Sequence, residues 1–217
     1  MSKKLNCLVA QSGGPSSVIN SSLAGIIEAS LNNSLIDRVY GAINGITGVL
    51  NDNVLELNEC FSNPANIEIL KSTPAMYLGS CRYKLKDAST DDSEYKKIFQ
   101  FIKKMNIGYF FYIGGNDSMD TVLKLKNYAK ENQIEDINII GVPKTIDNDL
   151  FGTDHTPGFG SAAKYIATTL LEIMHDTYIY NTNSVTIVEI MGRNAGWLTA
   201  AAALARTGNR TSPDLIY

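Results

Sequence analysis

The stretch Ile107-Gly108-Tyr109-Phe110-Phe111-Tyr112-Ile113-Gly114-Gly115-Asn116-Asp117-Ser118 decides the fold. Residues 107–113 are a strongly apolar strand pattern, and the glycine pair at 114–115 ends it. A helical pattern follows over 121–130, so the unit reads strand, tight turn, helix. The same alternation extends in both directions. Upstream, 93–105 is a predicted helix with Ser93 as its N-cap and Lys96 and Lys97 on its outer face. Downstream, 137–142 is another buried strand, broken at Pro143.

Nearer the start, 5–10 reads as a first strand and 18–31 as its helix, with Ile19, Leu23, Ile26, Ile27 and Leu31 near helical spacing. Residues 39–43 form a short strand that runs into a turn at Gly45 and Gly48, and 51–72 hold short strands and a short helix after Pro64. A second part begins near Gly158-Phe159-Gly160. It has a long helix over 161–174, a strand over 185–190 and a small-residue helix over 195–204. Leu215-Ile216-Tyr217 reads as the start of a strand, so further C-terminal sequence is expected. Strands alternating with helices define the α/β class.

Composition narrows the functions. The chain has 217 residues, 44% hydrophobic and 19% charged, with a formal net charge of −3. This is globular composition, with no apolar run near the ~20 residues of a membrane span. The acidic balance gives no attraction for nucleic acid. The apolar run after Met1-Ser2-Lys3-Lys4 is too short for a secretory signal. Cys7, Cys60 and Cys81 are an odd, widely spaced set with no Cys-x-x-Cys pair, which argues for a reducing cytoplasm. His155 and His175 are isolated, and Trp197 and the aromatics of 109–112 read as core.

Four loops follow predicted strands and carry chemistry. In Ser12-Gly13-Gly14-Pro15-Ser16-Ser17 the glycines let backbone approach an anion at the next helix's start, although the same residues also make a plain turn. The Gly114–Ser118 stretch offers amides for phosphate and acid or amide oxygens for Mg²⁺, or alternatively a helix cap. Pro143-Lys144-Thr145-Ile146-Asp147-Asn148-Asp149 concentrates an ammonium, a hydroxyl, an amide and two carboxylates. One carboxylate can accept a proton from an attacking hydroxyl while the other helps hold a metal, and Lys144 can offset charge on a transferring phosphoryl group. Met191-Gly192-Arg193, and likewise Arg82, suit bidentate contact with phosphate oxygens.

Together these residues resemble the phosphofructokinase family. The resemblance rests on Gly13-Gly14-x-x-x-x-Ile19-Asn20, Gly79-Ser80-x-Arg82, Gly114-Gly115-Asn116-Asp117-Ser118, the 143–149 stretch, Gly152-Thr153-Asp154 and Met191-Gly192-Arg193, in family order. It implies a three-layer αβα fold with a mostly parallel sheet in a donor-binding domain, 1–158, then the start of a similar sugar-phosphate-binding domain, 159–217. The implied reaction is Mg²⁺-assisted phosphoryl transfer to fructose 6-phosphate by a homo-oligomer. By resemblance Asp147 is the catalytic base, with Thr145, Lys144 and Arg193 around the transferring group. Gly13, Gly14, Arg82, Gly115, Asp117, Ser118 and Lys144 would face the donor's phosphates. Thr145, Asp147, Asp149, Met191, Gly192 and Arg193 would face the sugar phosphate, and Asn116, Asp117 and Asp149 the metal.

Asp117 and Lys144 stand where ATP-using members typically have glycine, and the pair resembles the pyrophosphate-dependent branch. A carboxylate at 117 would repel a nucleotide's α-phosphate, and Lys144 would add charge for compact pyrophosphate. An ATP-dependent phosphofructokinase and a non-catalytic phosphate-binding subunit are the alternatives. The second is motivated by Asn116, where a metal-binding Asp is usual, and by Ser184, where many members have an arginine.

Overall fold

Strand β1, Leu5–Gln11, is the centre of the molecule's sheet, and its period of two explains the layers around it. Cys7 and Val9 pack into one apolar cluster with Ile19, Leu23 and Ile27, while Leu8 and Ala10 pack into another with Tyr95, Ile98 and Leu125. A strand covered on both faces has no wet side, hence its continuous apolar sequence.

The computed structural model describes residues 4–208 and 211–217. The chain divides into two compact units, 1–144 and 145–217. In the first, β1 leads to α1 (Ile19–Leu31), β2 (Ile36–Ala42), α2 (Ile46–Leu50), β3 (Val54–Glu56), α3 (Leu57–Cys60) and α4 (Pro64–Ser72). There follow α5 (Ser93–Lys104), β4 (Ile107–Gly114), α6 (Asn116–Glu131) and β5 (Asn138–Pro143). Among the described residues the sheet has five strands in the order β3-β2-β1-β4-β5, parallel except for β3. Helices α1 and α4 contribute to one face cluster and α2, α5 and α6 to the other, so the expected three-layer α/β fold is present.

The order reverses beside β1: the chain first moves outward to β2, then returns to β4 on the other side. The register pairs Gln11 with Ile113 and Gly114 with Pro143, so the carboxyl ends of β1, β4 and β5 lie level at one edge. In open α/β sheets such a reversal leaves a crevice where ligands bind.

Several local expectations shift. Helix α6 starts at Asn116, five residues or so before the apolar periodicity at 121 begins, because Gly115 is its N-cap and its carbonyl accepts from both Ser118 and Met119. Thus Asn116-Asp117-Ser118 is a first helical turn rather than a loop. Ser93 is the first residue of α5, not its cap; Asp92 holds that place. The Ser93 hydroxyl and amide, with Lys86, instead hold the neighbouring Asp91 carboxyl down at about 2.

In the second unit α7 (Phe159–Ile179) is longer than expected, followed by α8 (Trp197–Ala201) and a 3₁₀ turn, Ala202–Ala205. Leu170, Ala202 and Ala205 form a small core there. The strands expected at 185–190 and 215–217 do not form. Among the described residues they have no partner strand to complete a ladder, and Val185 and Ile187 are each 90% exposed. Trp197, expected in the core, is 57% exposed. The units divide upstream of the expected 158/159 boundary because residues 145–158 fold onto themselves: Thr145 bridges to Gly158, and its amide donates to the Pro157 carbonyl at 3.1 Å.

Candidate active site

Lys144 ties together the turns at the switch-point edge of the first unit. It directly follows β5, and its backbone amide donates to the Gly114 carbonyl at 3.0 Å. Its side chain is buried, and the ammonium donates to the Gly14 carbonyl. An ammonium out of water needs such partners. Gly13 has φ +82°, and a Cβ there would sit 3.2 Å from the Lys144 nitrogen, so both conformation and space call for glycine.

The turn is held from two other sides. Ser12 donates from its amide to Ile113 at 2.9 Å and from its hydroxyl to Cys81 at 3.1 Å. The Ser80 hydroxyl donates to the Gly13 carbonyl at 2.7 Å. These bonds bring Gly79-Ser80-Cys81-Arg82 to the Gly13-Gly14 turn, and Arg82 leaves it exposed to solvent. Beneath lies Tyr112, whose hydroxyl is within 3.9 Å of the Cys81 sulfur; burial pushes its pKa well up, keeping it a neutral donor.

At the start of α6, Gly115, Asn116 and Asp117 occupy the positive end of a 16-residue helix. Ser118 is buried behind Gly114, where any side chain would strike its hydroxyl. Asp117 is largely exposed and pairs with Lys84 at 3.0 Å. Such a solvated pair is weak enough to exchange for another partner.

In the second unit, Thr145, Asp147 and Asp149 lie on the self-folded loop, and the Thr145 hydroxyl oxygen accepts from the Asp147 amide at 3.0 Å. Ile146 of this loop and Met191 line one apolar hollow together with Leu170 and Ile190. The loop and the Met191 segment, expected to share the sugar phosphate, therefore neighbour each other within this unit. Gly192 and Arg193 are exposed beyond Met191.

The amide oxygen of Asn116 and the carboxylate of Asp117 in the first unit, and the Asp149 carboxylate in the second, are each oxygen donors of the kind a hard cation takes. Among the described residues no three His, Cys, Asp or Glu side chains converge into a cage.

Sequence reading passed over a buried network behind the turn. The Gln11 amide donates to Ile19 and Asn20 at 3.1 and 3.0 Å, and its oxygen accepts from the Leu78 amide at 3.0 Å. Asn20 accepts from the Tyr77 amide at 3.0 Å and donates to Thr73 at 2.9 Å. The available signal was a glutamine ending an otherwise apolar strand.

A glycine turn at a switch point, with a buried lysine behind it and a helix N-terminus beside it, makes an α/β sheet edge of a kind that can receive an anion. The phosphofructokinase family pattern matches residues 6–214, and the chain belongs to that family. A pyrophosphate–fructose 6-phosphate 1-phosphotransferase from Halomonas elongata is 44% identical over 214 residues, covering 97% of this chain and 50% of the relative. The crystal structure of a pyrophosphate-dependent phosphofructokinase from Nitrosospira multiformis matches with TM-score 0.85 and 43% identity, covering 94% of this chain and 50% of that one. An ATP-dependent 6-phosphofructokinase from Actinobacillus pleuropneumoniae is 33% identical over 198 residues, covering 91% of this chain and 55% of the relative. The chain spans about half the length of the curated relatives it matches.

Proposed function

We propose that the protein transfers a phosphoryl group from pyrophosphate to the 1-hydroxyl of fructose 6-phosphate, reversibly, giving fructose 1,6-bisphosphate in glycolysis. The observation that carries this reading is the buried Lys144 ammonium lodged against the Gly13-Gly14 turn. A fixed cation behind a turn of backbone amides suits a small ligand of high charge density. Asp117 at the first turn of α6 adds negative charge where a nucleotide's inner phosphate would lie, which disfavours ATP.

In this reading residues 1–158 bind the donor and 159–217 open the sugar-phosphate domain. Gly13, Gly14, Arg82, Gly115, Ser118 and Lys144 serve the donor phosphates. Asp147 takes the proton from the sugar hydroxyl, and Thr145 and Arg193 stabilise charge on the moving phosphoryl group. Met191, Gly192, Arg193 and Asp149 orient the sugar phosphate. Mg²⁺ would be held by Asn116, Asp117 and Asp149, and when bound it offsets the donor's negative charge. Orientation and charge stabilisation do most of the work in phosphoryl transfer. We also infer a homo-oligomer in the cytoplasm; the free thiols of Cys7, Cys60 and Cys81 suit a reducing compartment.

A coupled assay with fructose 6-phosphate and Mg²⁺, comparing pyrophosphate with ATP, tests this. Turnover with pyrophosphate alone is expected. Turnover with ATP alone would overturn the donor, and none with either would overturn the activity. Asp147→Ala should remove turnover by about 10²–10⁴-fold while leaving pyrophosphate binding within a few-fold.

A further inference from the structure

The loop that bears Thr145 and Asp147 is fastened by two buried residues that have no role in the assignments above. Asn148 is 9% exposed and has φ +57°, a left-handed conformation that asparagine tolerates better than most residues. Both ends of its amide are used across the loop: nitrogen donates to the Asp154 carbonyl at 3.0 Å, and oxygen accepts from the Thr156 amide at 2.8 Å. Thr156 is 2% exposed, and its hydroxyl donates to the Thr145 carbonyl at 2.8 Å. Its own carbonyl accepts from Phe159, the first residue of α7, at 3.0 Å. A continuous set of bonds thus runs from the start of a 21-residue helix, through Thr156, to Thr145 and on to the Asp147 amide.

We propose that Asn148 and Thr156 are positioning residues that hold Thr145 and Asp147 in their reactive orientation. The proposal rests on the roles given above to those two residues. Neither Asn148 nor Thr156 is exposed enough to meet a substrate, so they act through the loop. The left-handed turn at Asn148 reverses the chain between Asp147 and Asp149. The Thr156 hydroxyl then fixes the plane of the Thr145 peptide, and through it the hydroxyl that receives the Asp147 amide. Rigid elements hold a reacting group better than a free loop, and displacements near 1 Å can cost about 10²-fold in rate.

Thr156→Val removes the hydroxyl at nearly constant shape, and Thr156→Ser keeps it. In the intact protein, Thr156→Val is expected to lower kcat by about 10–100-fold with KM for both substrates within about 3-fold of the parent, and Thr156→Ser to stay within about 3-fold throughout. Combining Thr156→Val with Asp147→Asn should cost less than the product of the two single losses, since part of the Thr156→Val loss falls on Asp147. Hydrogen exchange at the Asp147 amide should quicken in Thr156→Val and not in Thr156→Ser. A parent-like kcat in Thr156→Val, equal losses in both Thr156 variants, or multiplying losses in the double variant would overturn the proposal. Should Thr156→Val not fold, Asn148→Gly, which keeps the φ and deletes the amide, is expected to give the same kcat loss and faster exchange; parent-like values would overturn it. A parent without activity on fructose 6-phosphate and pyrophosphate would instead defeat the proposed function. The exchange result then decides the positioning by itself, and an unchanged Asp147 amide would end it.

Discussion

The Lys144 ammonium donates to the carbonyl oxygen of Gly14, joining the residue after β5 to the turn after β1. One side chain therefore connects two strands separated by β4 in the sheet. Replacing it by methionine keeps the buried stem and deletes the charge. Gly14 is exposed, so its freed carbonyl can be hydrated and the melting temperature should change little. The loss should fall on the donor: kcat/KM for pyrophosphate is expected to drop about 10–100-fold, the range for a charge-assisted bond. A parent-like kcat/KM in Lys144→Met would show that the ammonium serves the turn and not the ligand.

Asp117 and Lys144 together are expected to set donor choice. Asp117 is exposed at the head of α6 and Lys144 is buried, so they act independently on charge and space. The double variant Asp117→Gly/Lys144→Gly should shift the ratio of kcat/KM for ATP over pyrophosphate upward by at least about tenfold, some 1.4 kcal/mol. Measured side by side in one coupled assay, an unmoved ratio would place donor selection elsewhere.

Gly13 and Gly14 should respond differently to alanine despite being neighbours. Gly13 combines φ +82° with a Cβ position 3.2 Å from the Lys144 nitrogen, so Gly13→Ala should cost about 1–2 kcal/mol of stability. At Gly14 an added Cβ meets nothing within 4 Å. Gly14→Ala should therefore melt like the parent, while the methyl group enters the space proposed for phosphate and raises the pyrophosphate KM several-fold. Equal melting temperatures for both variants would contradict the strained geometry at Gly13.

These sites differ in how much the sequence revealed. The strand at 107–114 was legible because both of its faces are buried, which leaves an unbroken apolar run. Lys144 and Asp117 stood out as charges where a turn needs none. The head of α6 was obscured because Asn116, Asp117 and Ser118 carry turn-forming side chains, while Gly115 supplies the cap through its backbone. The 185–190 segment shows the reverse error: β-branched residues give a strand pattern, but a strand exists only where a ladder partner does. The Thr156 and Gln11 bonds were invisible because single polar atoms make them and no periodicity in the sequence marks their partners.

Gln11 is fully buried at the end of β1, where its amide serves Ile19, Asn20 and Leu78. Gln11→Leu would leave the Ile19 carbonyl and Leu78 amide without this partner in a dry site. Each such group costs about 1–3 kcal/mol, so chemical denaturation should show a loss on the order of 2–6 kcal/mol. An unchanged midpoint would mean that water replaces the side chain there.

Cys7, fully buried on the α1 side of β1, gives the molecule a stability change in alkali. Burial pushes its thiol from the usual 9.0 up to about 11, against a smaller opposing hydrogen bond with Ser30. Between those values the unfolded chain releases the proton while the folded chain keeps it. The contribution is therefore fully present below pH 9.0 and is lost as pH rises towards about 11, reaching on the order of 2–3 kcal/mol. Lysines and tyrosines also titrate in this range, so the useful quantity is the difference between the parent and Cys7→Ala. Urea midpoints across pH 8–11 should converge or cross as the parent loses stability that the variant does not. Parallel curves would show that Cys7 keeps an ordinary thiol pKa despite its burial.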